Sequence, residues 1–519
     1  MKTRSKNTFI IAIIIGLIAH MYRLTNWMLG EDAVHYLDTI SVSWVTSVGR
    51  YFLPVVEKIR GTYELSWLIG LFSIVCMALA AALIVDMYDI KGNVAILITC
   101  GIVVANPIVT DTFAFMYTAD GYSFGLLLST LAVYCTTMIR GKKGVILGII
   151  AYFVSLGFYQ GYTSAAIIFI LLHIIRMLLD NKTDIKELGR NVLRYLIMGV
   201  AGLLIYLIFL KIVWSLGGYG VTSYMGIGNK SSSGIHKYIE AVINSYIDFA
   251  RVFLVRYEIT GYNVTSVLMF AFSGIMIIIL LIKRKLLKQW YRPLLICIIL
   301  LMLPVATHIF HFISEELAYT TSIMEYGTMM VFLLPVVLLR QFDMGSGNFI
   351  EWKNPDYLKK HMGTVAVSVL MLLICGNFIV ISNKAYYNMF IANENLENFV
   401  NRLAMRMEMV PGYTDDIPVF VIGDNYQLPE YVTNAPMMSG VCSNIFLTGS
   451  DDYIEYMDKM MSTSHGGVSH DMERAIIQTE EFSTMEEWPS MNSIKVIDGV
   501  MVVVLSFDDD YDDMVEACE

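Results

Sequence analysis

Eleven long apolar runs occupy most of the first 382 residues of this 519-residue sequence. A helix needs about 20 apolar residues to cross the hydrocarbon core of a bilayer, and each run approaches that length. Only 16% of all residues are charged, against about 25% in soluble proteins. The sequence therefore predicts an α-helical polytopic membrane protein with about 11 transmembrane helices. The runs are 8–26, 64–87, 93–110, 121–139, 144–159, 162–180, 194–216, 262–282, 292–310, 320–340 and 362–382.

Charge divides the chain into two parts. Residues 1–382 contain 30 Lys and Arg against 21 Asp and Glu, whereas residues 383–519 contain 6 against 25. We predict a transmembrane domain over 1–382 and a small acidic α/β domain over 383–519. The second domain contains a strand in "PVFVIGD", amphipathic helices, a hairpin that turns at Asp498–Gly499 and an acidic tail. Its negative charge argues against nucleic acid as a partner.

The distribution of basic residues predicts the orientation in the membrane. Alternate polar segments, such as "KTRSK", "RGKK" and "KRKLLKQWYR", are rich in Lys and Arg, and the segments between them are poor in both. The positive-inside rule places the basic segments in the cytoplasm. We therefore expect a multi-pass protein of the cell membrane with a cytoplasmic N-terminus. An odd number of spans then places residues 383–519 outside the cytoplasm.

Several common chemistries have no motif in this sequence. It contains no phosphate-binding loop, no GxSxG nucleophile and no CxxC pair, so we expect no cofactor and no metal site of those types. His308, His311 and Glu315 have helix-like spacing, which suits either a metal site or the capping of a helix end. Cys442 and Cys518 could form a disulfide if their domain is extracytoplasmic.

Ionisable and polar side chains concentrate near the predicted outer ends of the spans. A carboxylate there can act as a general base or remain a solvated loop charge. A lysine inside the membrane costs about 2–3 kcal/mol at mid-depth, so it usually reaches the interface or finds a partner. The candidate residues are Glu31, Asp32, Arg50, Asp111, Asp120, Tyr159, Gln160, Lys211, His308 and Glu315.

Four stretches resemble the GtrII-type glucosyltransferases, which are polytopic enzymes of the GT-C architecture. They are "EDAVHYLDTISVSWVTSVGRY", "NPIVTDTFAFMYTADGYSF", "SLGFYQGYTS" and "MVPGYTDDIPVFVIGD". In that family the first outer loop has two acids followed by a glycine–arginine turn. Glu31–Asp32 and Gly49–Arg50–Tyr51 fill these places, although Glu-Asp replaces the usual double Asp. Tyr159–Gln160 matches the family's Tyr-Gln pair, and Asp120 takes the acid position of the second loop.

The resemblance implies transfer of a hexose, most simply glucose, outside the cytoplasm. The donor would be a polyprenyl-phosphate-linked sugar whose tail stays in the membrane lipid. The acceptor would be a cell-surface polysaccharide or a teichoic-acid-like glycan. Asp32 would act as the general base beside Glu31, and Arg50 and Lys211 would bind the donor phosphate. Further substrate contacts are expected from Asp111, Asp120, Tyr159, Gln160, His308 and Glu315.

Two other classes of function remain open at this stage. A transporter or lipid-linked glycan flippase is the first alternative, although the two halves show no matched pair of Gly- or Pro-broken helices. Its ionisable residues would also be expected at mid-membrane, whereas here they concentrate at one face. The second alternative is a non-catalytic envelope scaffold that uses residues 383–519 as a binding module.

Overall fold

The computed structural model describes most of the chain. The described residues are 3–30, 33–36, 41–220, 234–255, 261–313, 322–342, 351–423, 447 and 449–507. Five residues singled out from the sequence lie outside them, namely Glu31, Asp32, Glu315, Cys442 and Cys518.

The described chain forms two compact units. Unit 1 falls within Met1–Trp27 and Thr39–Tyr386, and unit 2 comprises the described parts of Met28–Asp38 and of the chain from Tyr387 onward. Unit 2 therefore includes a short segment that follows the first apolar run, in addition to the acidic C-terminal part.

Unit 1 consists of helices. They are α1 (Thr3–Thr25), α2 (Val42–Ser47), α3 (Leu53–Arg60), α4 (Ser66–Met87), α5 (Asn93–Val104), α6 (Pro107–Ala114), α7 (Met116–Met138), α8 (Lys142–Phe158), α9 (Tyr162–Leu178), α10 (Ile185–Gly217), α11 (Gly234–Leu254), α12 (Tyr262–Lys283), α13 (Tyr291–Thr307), α14 (Tyr326–Met330), α15 (Leu333–Gln341), α16 (Pro355–Lys360) and α17 (Met362–Glu408), the last of which continues into unit 2. Short 3-10 turns lie over Ala33–Tyr36, in unit 2, and over Ile309–Phe312 and Ser322–Glu325, in unit 1.

Seven helical segments of the described chain are long and apolar enough to cross a membrane. Each of the eleven predicted runs falls on a helical segment, and α9 and α13 are shorter apolar helices. The polytopic helical class is therefore confirmed, while the count of eleven spans stays a prediction. The seven segments are Thr3–Thr25, Ser66–Met87, Asn93–Ala114, Ile185–Gly217, Tyr262–Lys283, Ser322–Gln341 and Met362–Glu408.

Helix α10 illustrates why these segments suit a bilayer. Its buried residues follow a helical spacing along one narrow face, and the remaining face exposes Leu and Ile side chains. A soluble helix would carry polar residues on that exposed face, so the pattern indicates contact with lipid. The buried residues are Leu188, Tyr195, Met198, Gly202, Tyr206 and Leu210.

Small residues allow α7 and α8 to pack closely. A Cβ atom on Gly148 would lie 2.2 Å from Oγ1 of Thr136, so only glycine fits there. Ser155 donates a hydrogen bond of 2.7 Å to the backbone oxygen of Gly125 across the same interface. Close approach through small residues is a common way for membrane helices to associate.

Ion pairs hold the predicted cytoplasmic ends of several helices together. Asp89 accepts hydrogen bonds from Arg4 (2.7 Å) and Arg340 (2.8 Å) and lies 3.4 Å from Nζ of Lys91. Burial alone would raise the pKa of the Asp89 carboxyl. The hydrogen bonds from Arg4 and Arg340 outweigh burial and hold this pKa well below its usual range.

Unit 2 contains a three-stranded sheet and three further helices. The strands are β1 (Val419–Ile422), β2 (Ile494–Ile497) and β3 (Val500–Val504), and the helices are α18 (Ser450–Met461), α19 (His470–Ile477) and α20 (Glu480–Ser483). The strand order is β1-β3-β2, where β1 runs parallel and β2 antiparallel to β3. The register aligns Val419 with Met501 and Ile494 with Val503.

The hairpin predicted at Asp498–Gly499 is confirmed. Both residues have positive φ, 49° and 79°, as a two-residue turn between right-twisted strands requires. Strand β3 is buried along its whole length, and its side chains join those of β1, α19 and α20 in one apolar core. The core comprises Phe420, Ile422, Ile476, Phe482, Met485, Ile497, Val500, Val502 and Val504.

Candidate functional site

The Gly49–Arg50–Tyr51 turn joins α2 to α3 and is held by side chains from the end of α8 and from α10. Nε2 of Gln160 donates hydrogen bonds to the backbone oxygen of Val48 (3.1 Å) and to the hydroxyl of Tyr206 (2.7 Å). The Tyr206 hydroxyl in turn donates to the backbone oxygen of Gly49 (3.2 Å). Three segments distant in sequence therefore define the conformation of this turn.

Arg50 lies against a pair of tyrosine rings. Its Nη1 atom donates a hydrogen bond of 2.7 Å to the hydroxyl of Tyr122. Its guanidinium carbon lies 5.0 Å from the ring centroid of Tyr159, and the two tyrosine rings stack with centroids 4.3 Å apart. A guanidinium on an aromatic face loses little further freedom when it binds an anion, because its plane is already oriented.

A row of aromatic rings extends from Arg50 into the helical bundle. The ring of Tyr159 packs edge-on against that of Tyr162, with ring centroids 5.4 Å apart. The ring of Tyr162 packs in the same way against that of Tyr326, with centroids 5.6 Å apart. Tyr326 directly follows the 3-10 turn Ser322–Glu325. The row therefore connects the Arg50 turn to a second group of polar residues.

Two of the predicted residues contact that same 3-10 turn. The hydroxyl of Ser322 donates a hydrogen bond to the carboxylate of buried Asp111. Nε2 of His308 lies 3.6 Å from Oε1 of Glu325, and both side chains are buried. Asp111 and His308 thus belong to one buried polar group around Ser322–Glu325.

Asp120 is paired within the protein. Its Oδ2 atom lies 3.1 Å from Nε of Arg60, and both side chains are almost fully buried. Its Oδ1 atom accepts a hydrogen bond of 2.8 Å from the backbone N–H of Gly121. A Cβ atom on Gly121 would lie 2.4 Å from the side chain of Leu53, which shows how closely α3 approaches α7 here.

Lys211 lies on an exposed part of α10. It is exposed, whereas its neighbour Leu210 is buried. It makes no hydrogen bond or ion pair with any residue that the structure describes. An exposed lysine near the end of a membrane helix fits a side chain that extends toward the interface.

The two chain segments that flank Glu31 and Asp32 are both bonded within unit 2. The side chain of Asn393 accepts a hydrogen bond from the backbone N–H of Leu29 (2.7 Å). It also donates a hydrogen bond to the backbone oxygen of Leu29 (3.0 Å). On the other side, Nδ1 of His35 lies 3.0 Å from Oε2 of Glu455 on α18. The predicted base thus lies in sequence between two anchored segments.

Two groups, Glu455 in unit 2 and Tyr51 in unit 1, have shifted pKa values. Burial alone would raise the pKa of Glu455, but hydrogen bonds from Lys459 and His35 outweigh burial and lower it. Burial raises the pKa of the Tyr51 hydroxyl well above its usual value, and the neighbouring Tyr206 raises it further. Burial thus favours the neutral form of the Tyr51 side chain.

The described residues contain no group of three or more His, Cys, Asp or Glu arranged to hold a metal ion. His311, which the sequence places near His308, lies 2.9 Å from Oδ2 of Asp248. Each histidine therefore faces a carboxylate within the bundle. Glu315, the third member of the possible ligand set, lies outside the described residues.

Sequence reasoning missed several residues of this site. Arg60, Tyr122, Tyr206 and Glu325 each contact one of the predicted residues, but each belongs to a different helix or turn. One local signal was available, because Arg60 lies at the end of an amphipathic segment that follows the Arg50 turn. The remaining contacts depend on how the helices pack, which no local pattern specifies.

We expect Gly49→Ala to reduce the thermal stability of the protein, because the change disturbs the Arg50 turn. Gly49 has φ of +84°, and a Cβ atom there would lie 2.2 Å from the Tyr206 hydroxyl and 2.6 Å from Nε2 of Gln160. Gly61 provides a matched control, because its φ is +83° and nothing lies within 4 Å of its Cβ position. Gly61→Ala should cost only the strain of a left-handed residue, about 1–2 kcal/mol.

Thermal unfolding of the two purified variants, each compared with the native protein, separates these effects. A larger loss for Gly49→Ala is expected because the clash breaks the hydrogen bonds of Gln160 and Tyr206. Equal losses for the two variants would show that those bonds contribute little to the turn.

Residues 21–338 match the model of the family described as Glucosyl transferase GtrII. The matched range begins within α1, ends within α15 and includes the Arg50 turn and the Ser322–Glu325 turn. No curated protein and no solved structure matches the chain.

Proposed function

The chain belongs to the glucosyl transferase GtrII family, and we propose that it transfers glucose from a polyprenyl-phosphate-linked donor to a cell-surface glycan. Polysaccharide or a teichoic-acid-like polymer is the proposed acceptor. The observation that carries this proposal is the held guanidinium of Arg50, which lies on the stacked rings of Tyr122 and Tyr159. A fixed guanidinium matches the geometry of a phosphate oxygen pair.

A lipid-linked donor agrees with the distribution of apolar and polar residues in unit 1. Its polyprenyl tail needs a hydrocarbon environment, which surrounds the exposed apolar faces of helices such as α10. Its phosphate and sugar must lie at the membrane surface, where the predicted outer loop contains Arg50. The sequence has no nucleotide-binding loop, which agrees with a donor that contains no nucleotide.

The proposed reaction needs one base and one or more cations. Asp32, with Glu31 beside it, would accept the proton of the acceptor hydroxyl as that oxygen bonds to C1 of glucose. The C1–O bond to the polyprenyl phosphate breaks at the same time, and the phosphate leaves with the bonding electrons. Arg50 and Lys211 would stabilise the charge that develops on the phosphate.

The remaining predicted residues are proposed to bind or position the substrates. Tyr159 and Gln160 would act through Arg50, because they contact its side chain and its turn. Asp111 and His308 would act from the polar group around Ser322–Glu325. Asp120 and Glu315 are the last two residues proposed to bind or position the substrates. We propose a GT-C-like architecture for the protein and a reaction without a metal ion.

Glucosyl transfer by the purified full-length protein in liposomes tests this function. We expect transfer from polyprenyl-phosphate-glucose to a glycan acceptor and none from a nucleotide-linked glucose. Lipid-linked sugar that crosses the vesicle membrane without glycosidic bond formation would instead indicate a flippase. Absence of both activities would favour an envelope scaffold.

We further propose that the N-terminus is cytoplasmic and that residues 383–519 are extracytoplasmic. The excess of Lys and Arg in alternate loops of residues 1–382 supports this orientation. Protease added to intact spheroplasts should therefore remove a tag placed after Glu519. A tag that is cleaved only after the membrane is broken would contradict the proposed orientation.

A further inference from the structure

A cavity of about 1250 Å³ lies at the end of unit 1 that is opposite Arg50. It is lined by residues from the end of α4 and the turn after it, the end of α7, the start of α8, the end of α9 and the start of α10. Helix α8 has 17 residues and leads from this cavity to Tyr159, a length of about 25 Å at 1.5 Å per residue. Since a bilayer core is about 30 Å thick, the cavity and Arg50 lie near opposite membrane surfaces.

Basic side chains from four segments converge on the cavity. They are Arg140, Lys142, Arg176, Arg190 and Arg194. Such a basic pocket between membrane helices is a site where anionic lipid headgroups bind in other membrane proteins.

Carboxylates also line the cavity, and two of them are already engaged by cations that do not line it. Asp86 and Asp89 both pair with Arg4, at 3.2 and 2.7 Å, and Asp89 also pairs with Arg340 at 2.8 Å. The other two lining carboxylates are Asp180 and Glu187. The five cations therefore exceed the carboxylates that are left to balance them, which leaves the cavity positive.

Two polar atoms in the cavity wall are buried without a hydrogen-bond partner in the described structure. They are Nε of Arg194 and Nδ1 of His173. Arg194 is held in place because its Nη2 atom donates a hydrogen bond of 2.6 Å to the backbone oxygen of Ile139. A buried donor without a partner is destabilising, so a bound acceptor would be favourable at this position.

Apolar side chains form the remaining wall and continue onto the membrane-facing surface. Val145, Ile146 and Ile149 of α8 and Ile197 of α10 line the cavity. Ile146 and Ile197 are 54% and 45% exposed, so they also face the surrounding lipid. A free phosphate would use the cations alone, whereas a lipid would use both the cations and this apolar wall.

We propose that this cavity binds the phosphate headgroup of an anionic membrane lipid, with the acyl chains against α8 and α10. The lipid belongs to the membrane leaflet opposite the one that Arg50 faces. The site is distinct from the proposed donor site and does not depend on glucosyl transfer.

Lipid titration of the delipidated full-length protein, followed by native mass spectrometry, tests the proposal. Phosphatidylglycerol is expected to bind in preference to zwitterionic phosphatidylcholine and to inorganic phosphate. The double variant Arg140→Gln/Arg190→Gln should weaken phosphatidylglycerol binding at least about tenfold, because each cation near a lipid surface contributes about 1 kcal/mol. Both side chains are exposed at the rim, so the change leaves the packing of the helices intact.

Lys143→Gln/Lys186→Gln is the matched control. These exposed lysines lie at the same ends of α8 and α10 but do not line the cavity, so the same charge is removed beside it. Phosphatidylglycerol binding should stay within about twofold of the native protein. An equal loss in both double variants, or no preference for phosphatidylglycerol over phosphatidylcholine, would overturn the proposal. Inorganic phosphate that binds as tightly as phosphatidylglycerol would assign the cavity to a soluble phosphate and also overturn it.

Discussion

Glucosyl transfer is expected to slow by about 10²–10⁴-fold when Asp32 is replaced by asparagine, which is the usual contribution of general-base catalysis. A sugar hydroxyl is a weak nucleophile at neutral pH, and it needs a base within about 2.6–3.2 Å as the new bond forms. Asparagine keeps the size of the side chain but cannot accept the proton. Donor affinity should stay nearly unchanged, because the base acts on the acceptor. Single-turnover transfer and donor binding, measured separately on the same variant, test both statements.

Two further variants show whether Asp32 is the correct carboxylate. Glu31→Gln should reduce turnover less than Asp32→Asn, since Glu31 is proposed only as a neighbour. Asp120→Asn should mainly reduce thermal stability, because it breaks the buried ion pair with Arg60, and such a break typically costs about 3–5 kcal/mol. Full transfer by Asp32→Asn, together with a folded but inactive Asp120→Asn protein, would place the base in the second outer loop.

The anchoring of the segments around Asp32 gives unit 2 a role that its charge alone does not suggest. Leu29 is bonded to Asn393 on α17, and His35 is bonded to Glu455 on α18. The C-terminal part of the chain thus holds the two segments that flank the proposed base in the sequence. Leu29 and Asn393 are 364 residues apart in sequence, so hydropathy and charge patterns could not reveal this contact.

Local patterns predicted those features of the fold that depend on local physics. The membrane requires long apolar helices, so the apolar runs identified helical segments throughout unit 1. The amphipathic helices predicted after residue 383 include α18, and the turn at Asp498–Gly499 follows from residues that tolerate positive φ. Each of these features depends only on residues that lie in the same turn or the same helix.

Contacts between distant segments were beyond such patterns. The motif "GRY" identified Arg50, but not Tyr206 or Gln160 as the side chains that hold its turn. The sequence predicts Asp120 as the acid of the second outer loop but not its buried pairing with Arg60 of α3. Lys211 and Arg50 were grouped because both are cations near a predicted outer surface. Lys211 is exposed on α10 and contacts none of the described residues around Arg50, so its place beside the donor phosphate stays a prediction.

Arg50→Ala is expected to weaken binding of a polyprenyl phosphate by roughly 10- to 150-fold, which corresponds to about 1.5–3 kcal/mol for a hydrogen bond to a charged group. Arg50→Lys should recover only part of this affinity, because an ammonium is a point charge and cannot form two parallel bonds to phosphate oxygens. Donor affinity can be measured by titration with polyprenyl phosphate in the absence of acceptor.

Tyr122→Phe is the control that separates the charge of Arg50 from its orientation. The change removes the 2.7 Å hydrogen bond to Nη1 of Arg50 but keeps the ring that stacks on Tyr159. Donor affinity should therefore fall less than in Arg50→Ala, since the cation remains and loses only one of the contacts that orient it. If Arg50→Ala binds the donor as tightly as the native protein, the guanidinium serves only to hold its own turn. The phosphate would then have to be bound by another cation, and Lys211→Ala would become the decisive variant, because its exposed side chain is not engaged by any described residue.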